Sequence, residues 1–243
     1  MPKPYFQSDR VTIYHGDCFD ILPGLSNIGA VVTDPPYSSG GSFRGDRMQS
    51  TSTKYQTTGL ASYHPDFSGD NRDQRSFGVW CAMWMNACRL ACVAGAPFAA
   101  FIDWRQLPTL SDAVQVAGWQ WRGIGVWTKK NGRPTPGRFT NCAEYLLWGS
   151  KGPMPKRDVY PKGTFECPTV SGKDRVHSTQ KPELVMRWAL SIVPDGATVL
   201  DPFMGSGSTL RAAMDCGLPA IGIDADEHWC EIAAKRCKQM TLV

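Results

Sequence analysis

A mostly parallel α/β sheet with helices on both faces is the fold class this sequence predicts, on three observations. Short apolar runs alternate with amphipathic helical patterns along the chain. Several runs are apolar almost throughout, as strands buried on both faces are. Two of them stop abruptly in the Pro- and Gly-rich turns "DPPY" and "DPFMGSG", which end strand pairing. With 243 residues the chain can build one large domain, residues 1–243, with a sizeable core.

In chain order, "RVTIYHGD" (10–17), "AVVTDPPY" (30–37), "APFAAFID" (96–103), "ATVLDPF" (197–203) and "PAIGID" (219–224) read as buried strands. Helical spacing marks 77–91, 107–118, 181–193, 208–217 and 227–240. Interleaving of this kind builds a sheet covered on both sides. "QWRGIGVWTK" (120–129) and "AEYLLWG" (143–149) read as an antiparallel pair. Two segments break the rhythm. Residues 38–76, rich in Ser, Thr, Gly and Asp, read as a long mobile loop, and 129–176 is irregular and basic apart from 143–149.

Composition excludes several classes. No window approaches the ~18 consecutive apolar residues of a membrane span, and "MPKPYFQSDR" lacks the apolar core of a signal peptide; a soluble, cytoplasmic protein with no membrane partner is expected. Nine cysteines, an odd count without a CxxC pair or a Cys/His cluster at zinc spacing, argue against a disulfide framework and against a metal site. The net charge of +4 is concentrated: residues 129–176 hold ten Lys/Arg and four Asp/Glu, the footprint of polyanion binding.

In "VLDPFMGSGSTLRAA" a strand is followed by Gly205-Ser206-Gly207 and then by a helical pattern, and Asp224 ends the next strand. Glycines let a ligand approach backbone N–H groups at a helix start, and an acid at the next strand end accepts from ribose hydroxyls. The combination reads as a nucleoside site. Leu210 stands where a dinucleotide fingerprint carries its third Gly or Ala, which disfavours a pyrophosphate cofactor. In "AVVTDPPYSSGG", Pro35 and Pro36 remove backbone donors and leave nearby carbonyls as rigid acceptors beside a carboxylate and an aromatic ring.

Together, "DPPY" and "DPFMGSGST" resemble the S-adenosylmethionine-dependent DNA amino-methyltransferases, in which a D/N/S-P-P-Y/F/W motif holds the target base and an FxGxG loop the cofactor. With "DPPY" first, the order resembles the circularly permuted beta group. "HSTQKP" (177–182) is similar to that family's H-P-T-Q-K-P segment, with Ser178 in place of the proline, and "GIDADEHWCEIAAKR" (222–236) and "HGDCFDIL" (15–22) are similar to its second and third cofactor motifs. The resemblance implies a Rossmann-like class I methyltransferase fold in which strand 10–17 lies beside 219–224.

It also implies roles. Asp34 and the carbonyl of Pro35, followed by Pro36, would accept the two amino hydrogens of the target, and Tyr37 would stack on a base flipped from double-stranded DNA. Transfer would be direct, with neither metal nor covalent enzyme intermediate. Cofactor contacts would come from Asp17, Cys18, Asp34, Asp201, Phe203, Gly205, Ser206, Gly207, Ser208, Thr209 and Asp224, with Thr179 and Lys181 near the cofactor carboxylate. Attack on a pyrimidine carbon by a thiolate is rejected, because that branch uses a Pro-Cys dipeptide and this sequence has none.

Segment 129–176 falls where the beta group places target recognition, so Lys129, Lys130, Arg133, Arg138, Lys156, Arg157 and Lys162 are candidate DNA contacts, joined by Arg44 and Arg47 from the loop after Tyr37. Both segments are modest in size, so either the recognised site is short or a homodimer shares recognition. The leading reading is N6 methylation of adenine in duplex DNA, since cytosine amino-methyltransferases more often begin the tetrapeptide with Ser. N4-cytosine is the runner-up, followed by an RNA or protein amide methyltransferase and by an inactive DNA-binding module.

Overall fold

Pairing of nine strands defines the architecture of the computed structural model, which describes residues 3–38, 72–130, 132, 134, 136–169 and 181–238. The strands are β1 Phe6–Gln7, β2 Val11–His15, β3 Ala30–Thr33, β4 Pro97–Ile102, β5 Gln120–Thr128, β6 Ala143–Ser150, β7 Thr164–Glu166, β8 Val199–Asp201 and β9 Ala220–Asp224. They lie in the order β1-β2-β9-β8-β3-β4-β6-β5-β7. From β2 to β4 every neighbour is parallel, whereas β6 is antiparallel to both β4 and β5. The expected antiparallel pair and the expected placing of strand 10–17 are both present: Val11 pairs with Ala220 and His15 with Asp224.

Strands β3 and β4 are buried at every position. Alternation along them sorts side chains to two cores. Val31, Phe98 and Leu147 pack with α1 (Cys18–Ile21), α2 (Gln74–Ala91) and α3 (Leu107–Val116). Val32, Ala99 and Leu146 pack with α4 (Glu183–Leu190), α5 (Ser208–Asp215) and α6 (Glu227–Lys238). Helix α2 starts where Asp73 accepts from the Arg75 and Ser76 amides at 3.0 and 3.1 Å, and it buries Phe77, Cys81, Trp84, Met85, Cys88 and Ala91 along one face. Each large side chain so buried stabilises the fold by roughly 1.5–3 kcal/mol. All nine cysteines are free, and seven are buried as small apolar side chains.

Several boundaries differ from the sequence expectation. β3 stops at Thr33 rather than Tyr37, and β8 covers only Val199–Asp201, because the prolines that follow cannot donate to a ladder. Residues after Asp17 form α1, which Asp17 caps by accepting from the Phe19 amide at 2.9 Å. Segment 129–176 is not irregular throughout, since β7 lies in it and pairs in parallel with β5. Most of the expected loop, residues 39–71, lies outside the described residues. No helix among the described residues is long and apolar enough to cross a membrane.

Candidate active site

The chain leaves β8 for β9 on one side and β3 for β4 on the other, so the carboxyl ends of β8 and β3 form a topological switch point, where open α/β sheets bind ligands. Both Pro-rich turns lie there. Asp34–Tyr37 follow β3 directly, and Phe203–Gly207 follow β8. One buried contact ties the two turns together: the Thr33 hydroxyl donates to Asp201 Oδ1 at 2.7 Å, and the same oxygen accepts from the Phe203 amide at 3.1 Å. Burial pushes the Asp201 carboxyl up to about 6 against the hydrogen bonds from Thr209 and Thr33.

On the β3 side, four polar groups converge. Lys181 Nζ lies 2.8 Å from both Asp34 oxygens, 2.9 Å from the Tyr37 hydroxyl and 3.0 Å from Glu144 Oε2. Tyr37 donates to Asp34 Oδ1 at 2.7 Å. Glu144 in β6 is paired a second time, with Lys129 at the end of β5. Burial pushes the Asp34 carboxyl above its ordinary value, opposed by Lys181 and reinforced by Glu144. Burial also acts to raise Glu144, but the ammonium groups of Lys181 and Lys129 outweigh it and hold that carboxyl at about 2. For Tyr37, burial and then the two carboxylates push the phenol well above its ordinary value, so it stays a donor. Ser38 follows at φ 50°, fully buried, with its carbonyl accepting from Gln106 Nε2 at 3.2 Å. This is a costly backbone for a non-glycine residue, held by its surroundings.

The β8 side is shaped for a ligand. Gly205 has φ 49°, and a Cβ there would meet nothing of the described residues within 4 Å, so their packing does not demand glycine and the backbone is open on that side. Gly207, at φ 78°, caps α5 and is packed so closely that a Cβ would come within 2.9 Å of Ala233 Cβ. Asp224 accepts from the Gly205 amide at 2.9 Å and from the Asp226 amide at 3.0 Å, and burial pushes it up to about 6. Phe203 lies against Trp80 and Trp84 of α2, with ring centroids 5.2 and 5.1 Å apart. Ser206 and Thr209 are buried, and Ser208 Oγ accepts from Arg236 at 3.1 Å. Exposed Asp17 stands at the end of β2, next to β9. The side chain of Cys18 packs into the core instead, leaving only its backbone for a ligand.

A family model described as DNA methylase, of the N6/N4 type, matches residues 28–235. The chain belongs to that family. Type II methyltransferase M.HinfI from Haemophilus influenzae is 26% identical over 255 residues, spanning 94% of this chain and 68% of that protein. Among solved structures, M1.HpyAVI in complex with SAM superposes with a TM-score of 0.68 at 23% identity, covering 94% of this chain and 100% of that one. PvuII DNA methyltransferase, described as cytosine-N4-specific, superposes with a TM-score of 0.75 at 14% identity, covering 99% and 90%. These two likenesses establish the methyltransferase fold.

Within this DNA methylase the candidate residues sort by their surroundings. Lys181 was expected beside the cofactor carboxylate; its ammonium is engaged by Asp34, Tyr37 and Glu144. Lys129 and Arg157, expected on DNA, are committed within the protein. Lys129 pairs with half-buried Glu144, and Arg157 donates to the carbonyls of Ile192 and Val193 at 3.3 and 2.9 Å. Lys130 is exposed but pairs with Glu166 at 3.0 Å. Arg138, Lys156 and Lys162 are exposed on the basic segment. Arg44, Arg47, Arg133 and Thr179 lie outside the described residues. Sequence reasoning missed Glu144. The signal was available in the hairpin register: it is the acid of "AEYLLWG", it faces Trp127, and it therefore lies near Lys129, two residues further along the opposite strand.

Proposed function

We propose that this DNA methylase transfers a methyl group from S-adenosylmethionine to the N6 amino group of adenine in duplex DNA, directly and after base flipping. The observation that carries the reading is the Thr33–Asp201 bond, which holds the Asp34–Tyr37 turn and the glycine turn side by side. When bound, the cofactor supplies a methyl group made electrophilic by its sulfonium. Gly205, Asp224 and Asp17 are suited to hold its nucleoside part, by open backbone approach and by carboxylates at adjacent strand ends.

An amino group conjugated with a purine ring is a poor nucleophile, because its lone pair is delocalised. Asp34 and the Pro35 carbonyl accept its two hydrogens, which favours a tetrahedral nitrogen with the lone pair turned toward the methyl donor. Tyr37 stacks on the flipped base and offsets part of the cost of unpairing. Asp34 need not be a strong base, since the nitrogen loses its proton after it has become cationic. Asp at the head of the tetrapeptide supports adenine over cytosine.

The test is expression in a host lacking DNA methylation, then mass spectrometry of digested DNA. N6-methyladenine is expected, and N4-methylcytosine would reassign the base. Asp34→Ala should abolish methylation while calorimetry still detects cofactor binding. Full activity in that variant overturns the mechanism.

A further inference from the structure

The Asp34 carboxylate is nearly saturated. A carboxylate has about four acceptor positions, two on each oxygen. Oδ1 accepts from Tyr37 at 2.7 Å and from Lys181 at 2.8 Å, and Oδ2 accepts from Lys181 at 2.8 Å. Among the described residues no second donor reaches Oδ2, so that oxygen keeps an open position. Lys181 itself is 6% exposed and hemmed in: besides Asp34 and Glu144, the rings of Tyr37 and Phe101 lie 5.1 and 5.3 Å from its ammonium. Glu144 is in turn held by Lys129. Two carboxylates and two ammonium groups alternate in one chain, Asp34–Lys181–Glu144–Lys129, so the cluster can be covered by a base without burying net charge.

We propose that Lys181, anchored by Glu144, is a positioning residue that points the open acceptor position of Asp34, on Oδ2, at the target amino group. This rests on the amine-methylating reading above. Lys181 also acts on ionisation. The groups facing Asp34 are Lys181 and Tyr37, which favour its charged form, Glu144, which opposes it, and Asp201 across the switch point, which is coupled to it unfavourably. A stacked base removes solvent from the carboxylate, so the ammonium becomes the main force keeping Asp34 an acceptor. Two substitutions should therefore move activity in opposite directions along the pH axis, which a merely structural ion cluster would not do.

The experiment is single-turnover methylation of duplex DNA across a pH series, with saturating S-adenosylmethionine. Lys181→Met should lower the rate at neutral pH by about 10²-fold, the scale of losing one preorganised electrostatic partner, and move the acid limb of the profile to higher pH. Glu144→Gln, nearly isosteric, should move the acid limb to lower pH, with a smaller fall in the plateau rate. Lys181→Arg should restore the limb position. Cofactor KM should change less than about twofold in all three. Acid limbs that stay put, or that shift the same way in the Met and Gln variants, overturn the proposal. An unchanged plateau with a raised cofactor KM in Lys181→Met would also overturn it and return this lysine to the cofactor carboxylate. If Lys181→Met does not fold, the Glu144→Gln limb alone decides. Failure of the wild-type chain to methylate any DNA amino group would instead refute the underlying function, before any variant is compared.

Discussion

Replacing Asp201 by Asn should stabilise the protein at neutral pH and leave its stability unchanged in acid. Asp201 is 1% exposed, and its carboxyl is raised from 3.8 to about 6, chiefly by burial. A raised carboxyl binds its proton more tightly in the folded chain than in the unfolded one. The favourable contribution is fully present below the unfolded value and is lost as pH rises through the folded value. The shift from 3.8 to about 6 is worth about 3 kcal/mol at about 1.4 kcal/mol per pKa unit, a cost that ionised Asp201 imposes above pH 6. Asn keeps an oxygen that can accept from the Thr33 hydroxyl and the Phe203 amide, and the Thr209 hydroxyl can rotate to accept from the new amide. The assay is urea unfolding of both proteins from about pH 4 to pH 8. The difference in unfolding free energy should be near zero at the acid end and grow to about 3 kcal/mol at the neutral end. A difference that does not vary with pH would refute the assignment of a buried, strained charge at this position.

Two further outcomes follow from the surroundings of single residues. Gly207→Ala forces a Cβ to within 2.9 Å of Ala233 at φ 78° and should cost roughly 1–3 kcal/mol in thermal unfolding. Gly205→Ala meets no atom of the described residues within 4 Å, though φ 49° strains its side chain, and it should lose cofactor affinity in calorimetry more than it loses stability; equal affinity for this variant and wild type would contradict the cradle. Among the basic residues, Arg138→Ala and Lys162→Ala should each reduce the slope of log K for DNA against log salt by about 0.9 without altering stability. Arg157→Ala, which removes donors from the Ile192 and Val193 carbonyls, should lower stability and leave that slope unchanged.

Strand centres were legible in the sequence because a strand covered on both faces must be apolar at successive positions, as "AVV" and "FAAFI" are. Strand ends were less so, since apolar character continues into "DPP" and "DPF" after pairing has stopped for lack of donors. Helix α1 was missed because its signal is one capping acid, Asp17, and β7 because three residues carry almost no periodicity. Both Pro-rich turns of the site were visible as motifs. What the motifs did not contain was the partner set of Lys181. Its segment resembles a cofactor motif, yet two half-buried carboxylates, from β6 and from the turn after β3, compete for its ammonium. Only the register of the β5–β6 hairpin brings Glu144 to that spot.

The permuted motif order becomes intelligible from the bonds that build the site. Thr33 and Asp201 stand 168 positions apart, and Gly16 donates its amide to the Asp224 carbonyl at 2.9 Å from the opposite end of the chain. None of these contacts depends on which turn is synthesised first. They depend on β2, β9, β8 and β3 lying side by side, with their carboxyl ends on one edge. Closing a longer connection adds only about 0.6 kcal/mol for each doubling of its length, little against the burial that holds four adjacent parallel strands. The arrangement of the candidate site is therefore a property of the sheet edge: any chain order that fills the same strand positions with Asp34, the glycine turn and Asp224 assembles the same site.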